Sequence, residues 1–271
     1  MRYIKSFAND AAIQAAVDDK SLGHPYVALD DQLHRIDWNG KSDLTSYLTF
    51  DILSDGIIKF SASDSRAKKT IQYRINAGDW VTITSNTGEN APSFEVSTGD
   101  VIQFKGNNSS YGSGDSRYSG FRGSTCEFNA RGNIMSLITG DDFKNNTTLT
   151  SDSTFLCMFR ETNIIDASRL ILPALILRNN CYYSMFYNCT SLMKSPAIHA
   201  STLVYNCCSH MFQGCTNLSY IKCLATDISA SFCLSLWVSG VSPTGTFVKK
   251  AGVTWPTGVS GIPEGWTVIE E

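Results

Sequence analysis

A three-residue pattern returns at a nearly fixed interval in the second half of the chain, and it constrains the fold more than any other feature. Cys157-Met158-Phe159 recurs as Ser184-Met185-Phe186 and again as His210-Met211-Phe212. The methionines stand 27 and 26 residues apart. Around the last two copies the match lengthens, with Met185-Phe186-Tyr187-Asn188-Cys189-Thr190-Ser191-Leu192 set against Met211-Phe212-Gln213-Gly214-Cys215-Thr216-Asn217-Leu218. A period of roughly 20–29 residues with Cys or Asn ahead of a Leu is a solenoid signature. A strand pattern follows each match. Leu218-x-x-Ile221-x-Cys223 fits L-x-x-L-x-L, and Leu192-x-x-Ser195-x-Ala197 and Ile165-x-x-Ser168-x-Leu170 are smaller-residue versions. Each copy reads as a short helical turn with Met and Phe inward, then a strand. No single copy can bury its apolar side, so the copies must stack, and about three copies need a cover at both ends.

The repeats span residues 139–224, and the flanking texture supplies the covers. Residues 42–138 carry short β-prone runs broken by turn residues. These include Leu48–Ile52, Ile57–Ser61, Ile71–Ile75, Trp80–Ile83, Phe94–Val96, Val101–Phe104 and Cys126–Ala130. Such spacing suggests an Ig-like β-sandwich, closing one end of the stack with Ile134, Met135 and Leu137. The Gly/Ser/Asn-rich stretch 106–123, with Tyr111, Tyr118 and Phe121, reads as a long exposed loop. Residues 225–271, with Trp237, Phe247, Trp255 and Trp266, read as a β-rich C-terminal cap. The first 41 residues read as a helix plus a β-hairpin. Asn9 caps a helix over 10–18 with Ile13, Ala16 and Val17 on one face. The hairpin joins Pro25–Leu29 to Leu33–Trp38 through Asp30, Asp31 and Gln32. So small a module buries little core alone and is expected to dock, with Ile13, Ala16, Val17, Tyr26 and Trp38 as contact candidates. The expected fold is therefore mainly β: helix–hairpin module, sandwich, short leucine-rich-type solenoid and cap.

Composition narrows the function classes. Hydrophobic residues are 42% and charged residues 17% of the chain, enough for a packed core. The 22 Lys and Arg against 25 Asp and Glu give a net charge of −3, which argues against a nucleic-acid partner. No run approaches the ~18 apolar residues of a membrane span. Met1–Asp10 lacks an apolar stretch and a cleavage site, so the expectation is a protein made without export. Its nine Cys are then thiols.

Residues 155–271 resemble the BspA-type leucine-rich repeat proteins of gut Bacteroidetes and their phages. The likeness rests on Cys-x-x-x-Met-Phe-x-x-Cys-Thr-x-Leu (Cys181 to Leu192; Cys207 to Leu218) and on the ending Gly261-Ile262-Pro263-Glu264-Gly265-Trp266-Thr267-Val268. At 155–170 the copy departs, with Thr162 in place of the second Cys. Asn9 to Trp38 resembles a leader on structural proteins of tailed phages of those bacteria, crAss-like phages included, among them head-fibre and tail proteins. The resemblance implies a virion protein attached to capsid or tail through residues 1–41.

No catalytic constellation stands out. Metal binding would favour Cys-x-x-Cys pairs, and the chain has none; Cys181/Cys189 and Cys207/Cys215 repeat at one spacing, as a buried thiol ladder would. His24, His34, His199 and His210 lack a nucleophile signature. Asp141-Asp142 reads as a cap or turn, with no second carboxylate cluster to complete an acid–base site. No cofactor is expected. A binding surface follows from the repeat register. If 165, 168, 170, then 192, 195, 197, then 218, 221, 223 point inward, then Ala167, Arg169, Lys194, Pro196, Tyr220 and Lys222 face outward. Arg169, Lys194, Tyr220 and Lys222 would then form a cationic, aromatic patch suited to an anionic glycan or acidic protein, or would simply solvate an exposed sheet. The expectation is a non-enzymatic virion display protein adhering to a host surface protein or glycan, as a homotrimer without membrane insertion. A bacterial surface adhesin is the alternative, with a glycan depolymerase behind it.

Overall fold

The computed structural model describes residues 43–113 and 117–271, with the backbone of Ile4–Ser6 and Val27–Leu29. Strands β1 (Ile4–Ser6) and β2 (Val27–Leu29) pair in parallel. The next ten strands alternate between a main sheet and its cover. They are β3 (Leu48–Ile52), β4 (Gly56–Lys59), β5 (Ser61–Ala62), β6 (Thr70–Ile75), β7 (Val81–Thr84), β8 (Ser93–Val96), β9 (Val101–Gly106), β10 (Gly112–Ser113), β11 (Arg117–Gly120) and β12 (Phe128–Asn133). A short helix α1 (Ser136–Thr139) leads to β13 (Ile164–Ile171), β14 (Lys194–Ile198), β15 (Tyr220–Cys223), β16 (Thr246–Lys249) and β17 (Thr267–Glu270).

One ten-stranded sheet runs through both halves in the order β17-β16-β15-β14-β13-β12-β3-β9-β6-β7. Strand β12 is where its character changes, since it pairs antiparallel with β3 and parallel with β13. On one side the chain folds back strand by strand. On the other it returns to the same end of the sheet before each new strand, which requires a crossover of a dozen or so residues.

In the antiparallel half, alternation decides the faces. Leu48, Phe50 and Ile52 are buried inward with Ile102, Phe104 and Phe128, and the Phe50 ring stacks on Phe128 with centroids 4.2 Å apart. The turn after β6 places Asn76 (φ 50°) and Ala77 (φ 62°) in left-handed conformations, closed by Gly78 N–H donating to the Ile75 carbonyl at 2.8 Å. Two positive-φ central residues match the twist of a tight hairpin. The inner face is covered by the β4–β8 pair and the β10-β11-β5 sheet.

In the coiled half, the crossovers are chains of successive turns rather than helices. Left-handed residues recur every fourth position: Ser153, Cys157 and Glu161; then Asn180, Ser184 and Asn188; then Asn206, His210 and Gly214; then Phe232, Leu236 and Gly240. Within a coil each turn closes by a bond of the type Met185 N–H to the Tyr182 carbonyl, at 3.1 Å. Between coils, alternate amides donate to the next copy: Phe159 to the Met185 carbonyl and Phe186 to the Met211 carbonyl, both at 2.9 Å, then Phe212 to the Trp237 carbonyl at 2.8 Å. This ladder satisfies backbone groups that burial would otherwise leave orphaned. Met158, Met185 and Met211 are fully buried in one core cluster that also holds the inward residues of the antiparallel half. Phe159, Phe186 and Phe212 stack in sequence at 5.2 and 5.6 Å, Trp237 packs tilted on Phe212 at 5.9 Å, and Phe159 continues the stack onto Phe121 at 5.9 Å. Each such ring contributes about 1.5–3 kcal/mol by leaving water.

Several expectations are corrected. The helix–hairpin module is not seen among the described residues, where β2 pairs in parallel with β1. The helix over 10–18, the strand at 33–38 and the candidates Ile13, Ala16, Val17, Tyr26 and Trp38 lie outside the described residues. The Ig-like β-sandwich is not a separate body, because its main sheet is the sheet of the solenoid. Residues 225–271, expected as a β-rich cap, carry the strands β16 and β17, and Phe232–Lys249 continue the repeat as a fourth coil. The stretch 106–123 is not an exposed loop in its described part, since Tyr111, Tyr118 and Phe121 are buried. Tyr111 fills the interior while its hydroxyl donates to the Leu137 carbonyl at 2.8 Å.

Candidate binding surface

The outer face of the parallel strands presents one residue per strand in register. Asp166, Lys194, Tyr220, Thr246 and Thr267 are successive partners across β13 to β17. Ala197, Lys222, Val248 and Ile269 form a second row across β14 to β17. Parallel strands lie about 4.8 Å apart, so each row is a ladder of side chains at constant spacing.

The four residues expected to form a patch share this face, but the expected positive charge is neutralised. Arg169 makes two 2.9 Å bonds to the Asp43 carboxylate, and Asp43 is 1% exposed. Lys222 reaches Glu271 at 2.8 Å. Lys194 lies 3.9 Å from Asp166 with its side chain 54% exposed, a geometry worth little in water. Burial, then the charge of Glu271, raises the Tyr220 phenol above its ordinary pKa. The face is therefore mixed in charge, with Lys194 and Tyr220 its accessible centre.

The inward register is right in the third copy, departs at Pro196 and Ala197 in the second, and is shifted in the first. Leu218, Ile221 and Cys223 are buried, and so are Leu192 and Ser195. In β13 the buried residues are Ile164, Ala167, Leu170 and Ile171, while Ser168 is exposed. The cause is irregularity in the β12–β13 pairing, whose register slips on both sides of Asn129, as a bulge does. Ala167 and Pro196, expected outward, are buried.

All nine thiols are buried and unbridged. Cys189 Sγ donates to the Phe159 carbonyl at 2.9 Å and Cys215 Sγ to the Phe186 carbonyl at 3.0 Å. Thr162, at the equivalent position of the first copy, instead donates to the Phe159 carbonyl of its own coil at 2.8 Å, the carbonyl that also takes the Cys189 thiol. Burial pushes Cys189 up to about 11 and Cys223 up to about 12, so both stay neutral. His210 sits in a left-handed turn with Nδ1 2.6 Å from Gln213 Oε1 and its ring edge-on to Tyr183. Its surroundings are those of a packed turn residue.

One feature escaped the sequence reasoning. At the far end of the same sheet, β6, β7, β9 and the turn at Gly140–Asp142 enclose a cleft of about 360 Å³. Asp141 accepts from Tyr47 Oη at 2.6 Å and from Lys105 Nζ at 3.0 Å, which holds its carboxyl below the usual range. Lys105 Nζ also lies 4.5 Å over the Trp80 ring. These residues come from segments far apart in the chain; the only sequence signal is the polar alternation of Gln72, Arg74, Gln103 and Lys105.

Comparison with protein-family models, with curated proteins and with solved structures finds no match for this chain.

Proposed function

We propose that this chain is a non-catalytic display protein of a tailed phage of gut Bacteroidetes, presenting the outer face of its coiled half to a host surface protein or glycan. In this reading residues 1–41 attach it to capsid or tail, and it assembles as a homotrimer. The observation that carries it is the in-register row Lys194–Tyr220–Thr246–Thr267 on an outer face set by a rigid, fully buried stack. A ladder of constant pitch suits an extended partner, and stacked coils hold it without ordering cost on binding. The ion pairs of Arg169 and Lys222 remove the reason to prefer an anionic partner. The virion assignment draws on the resemblance of Asn9–Trp38 and of the Met-Phe repeats.

Binding of labelled protein to host cells tests the reading. The Lys194→Ser/Tyr220→Ala double variant, at unchanged melting temperature, is expected to lose at least about tenfold in affinity. Undiminished binding would overturn the proposed face. Light scattering after size exclusion is expected to give three chains per particle; a monomer would overturn the trimer.

A further inference from the structure

The cleft at the antiparallel end of the sheet has a chemistry that the repeat face lacks. Its volume of about 360 Å³ falls within the roughly 300–1,000 Å³ of small-molecule sites. Its lining mixes apolar surface with converging hydroxyl, amide and charged side chains: Thr70 and Gln72 on β6, Thr82 on β7 and Lys105 on β9, then Asn108 and Asp141 from the following loop and turn. Gln72, Thr82 and Lys105 are cross-strand neighbours, since Gln72 pairs with Thr82 on one side and with Lys105 on the other. Their spacing is thus fixed by the sheet rather than by a loop.

The polar groups are oriented in advance. Asn108 Nδ2 donates to the Thr70 carbonyl at 2.8 Å and stands 2.9 Å from Tyr111 Oη. That fixes the amide and leaves its carbonyl oxygen as an acceptor. The Tyr111 hydroxyl is itself anchored on the Leu137 carbonyl inside the core. Lys105 is held at both Asp141 oxygens at 3.0 Å and against Trp80. Gln72 Nε2 touches Thr82 Oγ1 only at 3.3 Å, a bond long enough to be exchanged for a ligand hydroxyl. Ammonium and carboxylate cancel, so the cleft offers paired donors and acceptors with no net charge. A phosphate or uronate would meet the Asp141 carboxylate, and an apolar ligand would strand the amides.

We propose that this cleft binds a neutral saccharide, its adjacent hydroxyls bridged by the Gln72 and Asn108 amides and by the Lys105–Asp141 pair. The site is separate from the repeat face and does not depend on that face binding anything.

Titration of the full chain with cellohexaose, xylohexaose, mannohexaose and maltohexaose, with oligogalacturonate as the anionic comparison, tests it by NMR. At least one neutral hexasaccharide is expected to bind at millimolar concentration and to shift the amide signals of 70–72, 82, 105–108 and 140–141. Gln72→Ala and Thr82→Ala, both on the outer face, are expected to weaken that binding by about tenfold or more with the melting temperature unchanged. Tyr220→Ala, on the repeat face, is expected to leave it intact. If either cleft variant fails to fold, the signals shifted in the unaltered protein decide. Absence of binding by all four neutral sugars, a response to oligogalacturonate alone, or shifts outside the cleft would overturn the proposal.

Discussion

The two halves of the sheet solve one problem in different ways. Both must cover an apolar inner face, and both use rings to do it. The antiparallel half folds extra strands over the face, so Phe60, Tyr111 and Phe121 arrive from the β4–β8 and β10-β11-β5 layers. The coiled half covers itself with its own crossovers, whose amides bond from coil to coil. The first solution relies on side-chain variety; the second relies on left-handed residues at every fourth turn position. Left-handed backbone costs a non-glycine residue about 1–2 kcal/mol, so the coiled half carries a strain that its backbone ladder must offset. The halves also differ in thiols: eight lie in the coiled half and only Cys126 in the other.

The thiol contrast gives the largest expected effect. Burial holds Cys157 and Cys223 near 12 and Cys126, Cys189 and Cys233 near 11, against an ordinary value of 9.0. Above pH 9 the unfolded chain releases thiol protons that the folded chain keeps, so stability falls as pH rises and is lost by about 12. Below pH 9 these groups leave stability unchanged. Thermal melts from pH 8 to 12 should therefore show a steep decline across that window. If the two halves unfold together, Trp80 in one and Trp237 in the other report one transition; separate transitions would break the picture of a shared interior.

Next in size is Phe186→Ala, which opens a cavity between Phe159 and Phe212 and should cost about 3–5 kcal/mol in denaturant titration. A cost below about 1 kcal/mol would mean the stack is not packed as described. Ser136→Ala comes after it. The buried Ser136 hydroxyl accepts from Leu48 N–H and donates to the Phe104 carbonyl, both at 2.9 Å. Its removal strands a donor and an acceptor and should cost about 2 kcal/mol. The smallest effects compare strain directly. Ala77→Gly in the β6–β7 turn and Leu236→Gly in the fourth coil both remove a left-handed penalty. After the entropy that glycine adds to the unfolded chain, each should gain roughly 0.5 kcal/mol, with Ala77→Gly the larger because Leu236 gives up some contact. Destabilisation by Leu236→Gly would mean that its side chain packs more than its 38% exposure implies.

The sequence made the stacked copies visible because Met-Phe must return to one interior column at a fixed interval. The fourth coil was hidden because Leu236-Trp237-Val238 stands where His210-Met211-Phe212 stands one coil earlier. Trp237 fills the column without matching its letters. Cys233, 26 residues after Cys207, was the available clue. The turn chains read as helical because left-handed φ at Ser184 or His210 leaves no composition signal. Period-2 alternation located Leu48–Ile52, but the slip beside Asn129 displaced the expected inward set in β13. The charge neutralisation was illegible, since Asp43 and Arg169 meet across 126 residues of sequence, and the cleft joins segments with no shared motif.

Hydrogen exchange resolved to single amides tests most directly whether the coils share one stacked interior. Turns exposed to solvent exchange rapidly, whereas here Phe159, Phe186 and Phe212 donate their amides to the next coil. The account requires these three to exchange as slowly as Phe50 and Phe104 in the sheet, through global opening alone. Exchange at the rate of free turns while the sheet stays protected would contradict it.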